Sequence, residues 1–194
     1  MPRSADSLRS ELISIVQASP WFMRALGAVA SLKLTSWCVG AGAVRNLVWD
    51  HLHGYAEPSR LADVDVAYFD AQDLKPQTEK ALQAALEAMV PELPWEVTNQ
   101  AAVHLWFEAH FGHAVGPLRS LEEAVASWPE YATSVGITLD GPSSVRVVAP
   151  WGLDDLFEMR VRRNPTRVSV ETYRQRTQQK QYEARWPRVR VETC

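Results

Sequence analysis

The chain has 194 residues, of which 46% are hydrophobic, and a formal net charge of −3, which predicts one compact domain over residues 1–194 with a proper core. No apolar stretch approaches the length of a membrane span and the N-terminus lacks a signal-peptide core, so we expect no contact with membranes. The two cysteines, Cys38 and Cys194, are far apart and predict no disulfide framework, which favours a reducing cytoplasm.

In the first half of the chain, a turn that contains glycines is predicted to join a strand to a helix. After two helices over about 6–18 and 21–33, a strand over 34–39 precedes Gly-Ala-Gly, and apolar residues then recur at helical spacing to about residue 53. Such a turn exposes backbone N–H groups at the positive end of the helix dipole, which is typical of phosphate sites. The residues predicted to form this phosphate site are Gly40, Ala41, Gly42, Arg45 and Asn46.

Two aspartates, Asp63 and Asp65, open the next apolar run, over 62–69, which is predicted to be a strand. Side chains alternate across a strand, so both carboxylates leave the same face. Adjacent like charges must be solvated, paired or given a cation. The pair therefore suits a divalent metal that is open to a phosphate, although a solvated turn at the strand entrance is the simpler alternative.

A dinucleotide-binding turn is an alternative interpretation of the same two features. A Gly-x-Gly after a strand, followed by an acid about twenty residues later, is the pattern of that fold. Arg45 occupies the third glycine position, where its bulk would obstruct helix packing. Asp63 and Asp65 also come at the start of their strand rather than at its carboxyl end. Both details weigh against dinucleotide binding.

The later elements are predicted to be a helix over about 77–90, a strand near 94–99, a short helix over 121–127 and a hairpin of 132–139 with 144–149. The hairpin turn is assigned to Asp140-Gly141-Pro142, and Leu153–Phe157 is predicted to open another helix. One apolar stripe is predicted on the helix over 77–90, formed by Ala81, Leu82, Ala85, Leu86 and Met89.

Glu96 is the candidate third carboxylate, because it lies between Trp95 and Val97 on the short predicted strand. If that strand pairs beside the aspartate strand, Glu96 can reach the same metal as Asp63 and Asp65. An ordinary exposed strand glutamate is the alternative.

The segments that carry these features resemble a bacterial group of nucleotidyltransferase-family proteins within the nucleotidyltransferase-fold, polymerase-β-like superfamily. The resemblance extends from about Leu12 to Pro187 and is strongest in the segments 37–46, 63–70, 94–101 and 149–157. This chain has Gly-Ala-Gly where the superfamily usually has Gly-Gly or Gly-Ser. The resemblance implies an α/β nucleotidyltransferase fold, with a small mixed β-sheet flanked by helices.

The same resemblance implies a metal-dependent enzyme that moves a nucleoside monophosphate from a nucleoside triphosphate to an unknown hydroxyl acceptor. Its implied catalytic and metal-binding residues are Asp63, Asp65 and Glu96, with Mg²⁺ or Mn²⁺ as cofactor, and the glycine turn would hold the phosphates. The alternative is a nucleotide-binding module that keeps the fold without turnover.

The C-terminal segment, over about 160–194, is basic while the rest of the chain is acidic. It carries 10 Lys/Arg and 3 Asp/Glu, a balance of +7, against 10 and 20, a balance of −10, before it. We expect this segment to pack on the acidic body or to serve the triphosphate, and nucleic acid is the less favoured partner. The residues predicted to reach phosphate are Arg160, Arg162, Arg163 and Lys180.

Overall fold

The computed structural model describes residues 3–141 and 144–193 and shows a sheet flanked by helices. The α-helices are α1 (Ala5–Gln17), α2 (Pro20–Ser31), α3 (Gly42–His53), α4 (Pro76–Met89), α5 (Phe107–Phe111), α6 (Leu121–Ala126), α7 (Asp154–Phe157), α8 (Val170–Lys180) and α9 (Tyr182–Arg185). The strands are β1 (Trp37–Gly40), β2 (Val64–Tyr68), β3 (Trp95–Asn99), β4 (Gly136–Leu139), β5 (Val145–Val148), β6 (Arg160–Val161) and β7 (Arg190–Val191). Short 3₁₀ helices cover Gln100–Leu105 and Tyr131–Thr133.

The main sheet is mixed and has the strand order β3-β2-β1-β4-β5. Strands β2 and β3 are parallel and joined by α4, whereas β1 is antiparallel to both β2 and β4. The mixed sheet agrees with the predicted fold class. The antiparallel pairing of β1 with β2 rules out the dinucleotide-binding unit, in which these two strands would be parallel.

The two faces of the sheet differ in chemistry because side chains alternate along each strand. Val64, Val66 and Tyr68 enter the main core, which is built with α1, α2 and α3. On the opposite face, Asp65 is half-buried and Ala67 joins a smaller apolar cluster with residues of α6. One face therefore holds the fold together while the other is left to form a site.

Local sequence explains where several helices begin and end. The Ser4 hydroxyl accepts from the Ser7 amide at the start of α1, and α2 begins at Pro20. Helix α3 ends at Gly54, whose positive φ of 68° is the left-handed conformation that glycine adopts readily.

Most predicted boundaries agree with the structure to within a few residues, but the first strand begins at Trp37 rather than at residue 34. The C-terminal helices α8 and α9 and the small parallel pair β6–β7 were not predicted. Pro142 of the predicted hairpin turn and Cys194 lie outside the described residues.

Within the described ranges no single helix is long and apolar enough to cross a membrane. By length and composition, α1 and α2 would qualify only as a pair, and the two helices are bent by 90° relative to each other.

Candidate active site

A row of three neighbouring strand positions forms the floor of the candidate site. In the sheet register, Gly40 of β1 lies opposite Asp65 of β2, and Asp65 lies opposite Glu96 of β3. A pocket of about 250 Å³ opens over this row. Its lining includes Ala41, Gly42, Arg45, Asp63, Asp65, Glu96, Thr98, Gln100, Trp128, Arg176 and Lys180.

The three predicted carboxylates, Asp63, Asp65 and Glu96, all line this pocket. Burial raises the pKa of Asp65 to about 7, with repulsion from Asp63 and then Glu96 adding to the effect. Burial and Asp63 also raise the pKa of Glu96. The protein thus holds these negative charges together at a cost that a bound cation would relieve.

The donor set fits a magnesium-type ion that is completed by substrate. Among residues 3–141 and 144–193, no group of three or more His, Cys, Asp or Glu is already arranged to hold a metal. Mg²⁺ commonly binds through one or two carboxylates together with substrate phosphates, rather than in an all-protein cage. Asp63 and Asp65 are the side chains that would hold such an ion, with Glu96 beside them.

The turn before α3 presents its first amides towards the pocket. Ala41 precedes the helix with φ 49° and ψ −117°, a conformation that is strained for a residue with a Cβ. The Ala41 carbonyl accepts from the Arg45 amide, but within the described part of the chain no side chain caps the helix. The first amides of α3 therefore remain available to an anion at the positive end of the dipole.

The two glycines of the turn have different structural roles. A Cβ on Gly40 would lie 2.5 Å from the Trp128 ring, so this glycine permits close packing. A Cβ on Gly42 would lie 3.6 Å from Arg45 and 3.7 Å from Asp63, which is ordinary contact. Gly42 lines the pocket and Gly40 lies beneath Trp128. Gly40 thus has a packing role, and its predicted phosphate role stays a prediction.

Arg45 lines the pocket from a buried position inside an aromatic cage. Its guanidinium carbon lies 4.9 Å from the Tyr182 ring centre, 5.5 Å from that of Trp49 and 5.9 Å from that of Trp186. It donates to the Asn46 amide oxygen at 2.8 Å, and its Nε has no hydrogen-bond partner among the residues that the structure describes. Asn46 therefore orients Arg45 rather than lining the pocket itself.

Helix α8 brings two more cations to the pocket. Arg176 and Lys180 are four residues apart and so share one helix face. Arg176 Nε donates to the fully buried Glu130 at 2.6 Å, and Tyr182 links Glu130 to Arg45 through hydrogen bonds of 3.4 and 3.5 Å. Burial and then the neighbouring Arg176 lower the pKa of Lys180.

Three of the four predicted phosphate-binding cations lie elsewhere. Arg160 and Arg162 both donate to the buried Asp155, at 3.1 and 2.8 Å, and Arg163 donates to the Val168 carbonyl. A buried carboxylate is costly to leave unpaired, and Arg160 and Arg162 compensate the charge of Asp155. Lys180 is the one of the four that lines the pocket.

Sequence reasoning missed Arg176 and Trp128. The signal for Arg176 was its spacing of four residues from Lys180 within a run of helix-forming residues after Ser169, which caps α8. Trp128 follows a short helix, and its contact with Gly40 joins positions too distant in sequence for any local pattern to show.

The chain was compared with known proteins by family model, by sequence and by structure. A family model described as nucleotidyltransferase matches residues 27–191. No curated protein matches the sequence significantly.

Among solved structures, one described as revealing a CCA-adding enzyme head domain is 26% identical, with a TM-score of 0.80 over 95% of this chain and 96% of that chain. A CCA-adding enzyme solved with CTP is 13% identical, with a TM-score of 0.52 over 98% of this chain and 43% of that one, and so shares the fold. The family model covers most of the sequence, and the chain belongs to the nucleotidyltransferase family.

Proposed function

We propose that the protein transfers a nucleoside monophosphate from a nucleoside triphosphate to a hydroxyl acceptor, with Mg²⁺ or Mn²⁺ bound by Asp63 and Asp65. The observation that carries this proposal is the composition of one pocket. It joins three carboxylates, an uncapped helix start and the cations Arg45, Arg176 and Lys180. The solved complex of a CCA-adding enzyme with CTP lends support through its shared fold.

The charges suit a triphosphate that arrives with a divalent ion. The β- and γ-phosphates would bind at the start of α3, where the Gly42 amide and Arg45 supply donors, whereas the Ala41 amide already donates to the Val135 carbonyl. Lys180 and Arg176 approach from α8 and would neutralise the remaining negative charge. When bound, the metal would offset charge on the phosphates and acidify the acceptor hydroxyl.

The transfer itself needs positioning more than covalent chemistry from the protein. The acceptor oxygen attacks the α-phosphorus, a new phosphorus–oxygen bond forms, and the bond to the bridging oxygen breaks. Pyrophosphate departs with that electron pair, and the acceptor proton passes to Glu96 or to water. The raised pKa of Glu96 makes its carboxylate a better proton acceptor at neutral pH.

Calorimetry with the four α,β-methylene nucleoside triphosphates tests the nucleotide and metal parts of the proposal. We expect at least one of the four to bind in the presence of Mg²⁺, and binding to weaken by about tenfold or more without it. Among substitutions of the three carboxylates, Asp65→Asn should lower the affinity for Mg²⁺ most. Glu57→Gln, which changes a carboxylate on the exposed surface, should leave that affinity unaltered. Equal Mg²⁺ affinity in a folded Asp65→Asn protein would show that the metal site is misplaced.

A further inference from the structure

A second cavity, of about 240 Å³, adjoins the candidate active site. Its apolar wall is formed by Val103, Trp106, Phe107 and Phe111, which follow β3 on the 3₁₀ helix, at its junction with α5 and on α5 itself. The rings of Phe107 and Phe111 have centroids 4.5 Å apart, and Arg167 lies over Phe107 at 5.7 Å. One wall of the cavity is therefore aromatic, and a cation lies against it.

The two cavities share part of their lining and so lie side by side. Thr98, Gln100, Trp128, Pro129 and Arg176 belong to both. Thr98 is two residues after Glu96 on β3, so both side chains leave the same face of the sheet. A molecule in the second cavity could thus place a polar group beside Glu96 while its body contacts the aromatic wall.

The direction of the reaction favours an acceptor over a nucleobase in this cavity. The attacking and leaving oxygens lie roughly in line through the phosphorus in phosphoryl transfer. In the proposed function, pyrophosphate leaves from the Ala41–Gly42 side of Asp65. The attacking oxygen must then come from the opposite side, which is the side of β3, and Thr98 of this strand lines the second cavity.

We propose that the second cavity binds the acceptor, and that the acceptor is a small hydroxyl compound with an aromatic or apolar ring. This inference rests on the proposed function. Thr98 and Gln100 at the junction would orient the hydroxyl group, and the aromatic wall would hold the ring. The volume of about 240 Å³ accommodates one or two rings.

The test uses 2-phenylethanol as the probe, because it joins a hydroxyl group to one ring. Its binding to the full chain is followed by chemical shifts of the tryptophan indole N–H groups, with α,β-methylene nucleotide and Mg²⁺ present. We expect the Trp106 and Trp128 signals to shift. Phe111→Ala should weaken probe binding by about fivefold, since it removes one aromatic wall residue.

Leu105→Ala is the matched control. Leu105 is 62% exposed and Phe111 is 47% exposed, so both variants should fold, but Leu105 is not part of the cavity wall. The control should bind the probe like the parent protein. Absence of shifts at Trp106 and Trp128, or equal weakening in the two variants, would overturn the acceptor assignment.

Nucleotide affinity separates this proposal from the proposed function. Phe111→Ala should bind the α,β-methylene nucleotide as the parent does, and 2-phenylethanol should not compete with it. Loss of nucleotide affinity in Phe111→Ala, or competition by the probe, would assign the cavity to the nucleobase and overturn the proposal. Failure of every nucleotide to bind the parent would refute the proposed function. Probe binding is also measured in samples that contain no nucleotide, so that failure of the acceptor assignment is seen separately.

Discussion

Asp65 is a side chain that the fold holds in an energetically unfavourable environment. Its carboxyl group is half-buried between Asp63 and Glu96, and its pKa is raised from 3.8 to about 7. The folded protein therefore binds the Asp65 proton more tightly than the unfolded chain does. Ionisation of Asp65 destabilises the fold progressively as the pH rises from about 4 through about 7.

We predict that Asp65→Asn stabilises the protein in metal-free buffer, and more so at pH 8 than at pH 5. The gain in the free energy of unfolding should be larger at pH 8 by about 1–2 kcal/mol, because water still screens the half-buried group. That difference corresponds to about 2–8 °C in the midpoint of thermal unfolding. A gain that is equal at both pH values, or absent in chelator-treated protein, would contradict the assigned environment of Asp65.

Gly42 is predicted to control phosphate binding without controlling the fold. Gly42→Val should leave the thermal midpoint within a few degrees of the parent, because a Cβ there meets only ordinary contacts. Nucleotide affinity should fall by about tenfold or more, since the branched side chain occupies the approach to the first amides of α3.

Gly40→Ala provides the contrasting variant for this prediction. Its Cβ would overlap the Trp128 ring, so we expect a loss of about 1–3 kcal/mol in stability from overpacking. Calorimetric affinity and thermal unfolding, measured on both variants, separate the two roles. Unchanged nucleotide affinity in a folded Gly42→Val protein would count against the phosphate site.

Some site residues could be predicted because their signal is local. Alternation along a strand brings the side chains of Asp63 and Asp65 to one face, and the glycine turn indicates a phosphate site. The environment of Arg45 could not be predicted in this way. Its aromatic partners Tyr182 and Trp186 are more than 130 positions away in the sequence, and only the folded chain brings them together.

At the scale of elements, α8 is the structural unit that supplies cations to the pocket. Lys180 lies at its last turn and Arg176 one turn earlier, while Tyr173 anchors the helix in the core. Arg176 is fixed by the buried Glu130, so removing it would also leave that carboxylate unpaired. Lys180 is therefore the cleaner position for a test of this helix.

We predict that Lys180→Met lowers nucleotide affinity by about threefold to thirtyfold without lowering stability, because it removes one cation from the triphosphate site. Lys80→Met, on the exposed surface of α4, makes the same charge change away from the pocket and should leave affinity unaltered. An equal loss of nucleotide affinity in the two variants, measured by calorimetry, would show that Lys180 acts only through the net charge of the protein.

Burial along an element was harder to predict than the element itself. The predicted apolar stripe of α4 is only partly inside the protein: Leu86 is fully buried, whereas Met89 is 45% exposed. The helix covers an edge of the sheet, where only part of its stripe faces apolar neighbours. Helical spacing identifies α4 but does not show how much core lies beneath it.

Across the whole molecule, the basic C-terminal segment packs on the acidic body and forms ion pairs with it through three arginines. Arg160 and Arg162 pair with Asp155, and Arg176 pairs with Glu130. The main apolar core extends from Leu8 to Val189, so the segment is part of the same packed structure. That the full chain is a single domain in a cytoplasmic protein stays a prediction.

The charge balance predicts weak binding of long nucleic acid. Single-stranded and duplex RNA should bind with a shallow dependence on salt concentration, because the −10 balance of the acidic body offsets the +7 balance of the C-terminal segment. Fluorescence anisotropy at several salt concentrations measures that slope. Submicromolar affinity at physiological salt with a slope equivalent to about six or more neutralised phosphates would contradict this prediction and favour an RNA acceptor.

The mixed sheet and the position of its carboxylates followed from sequence patterns and from the family resemblance. Strand order did not, because it depends on pairing between strands that are distant in the sequence. The second cavity did not either, because it depends on contacts between β3, α5 and α8 that have no local signature. The antiparallel pairing of β1 with β2 likewise required the structure.

The most direct test of the central claim is the fate of the α-phosphate. The parent protein is incubated with Mg²⁺ and nucleoside triphosphates labelled at the α- or the γ-phosphate, together with a panel of small aromatic and aliphatic alcohols and a cell extract. We predict that the α-label enters an acceptor with release of one pyrophosphate per transfer, and that Asp65→Asn lowers the rate by about a thousandfold or more. Transfer of the γ-label, or an equal rate in Asp65→Asn, would contradict the account.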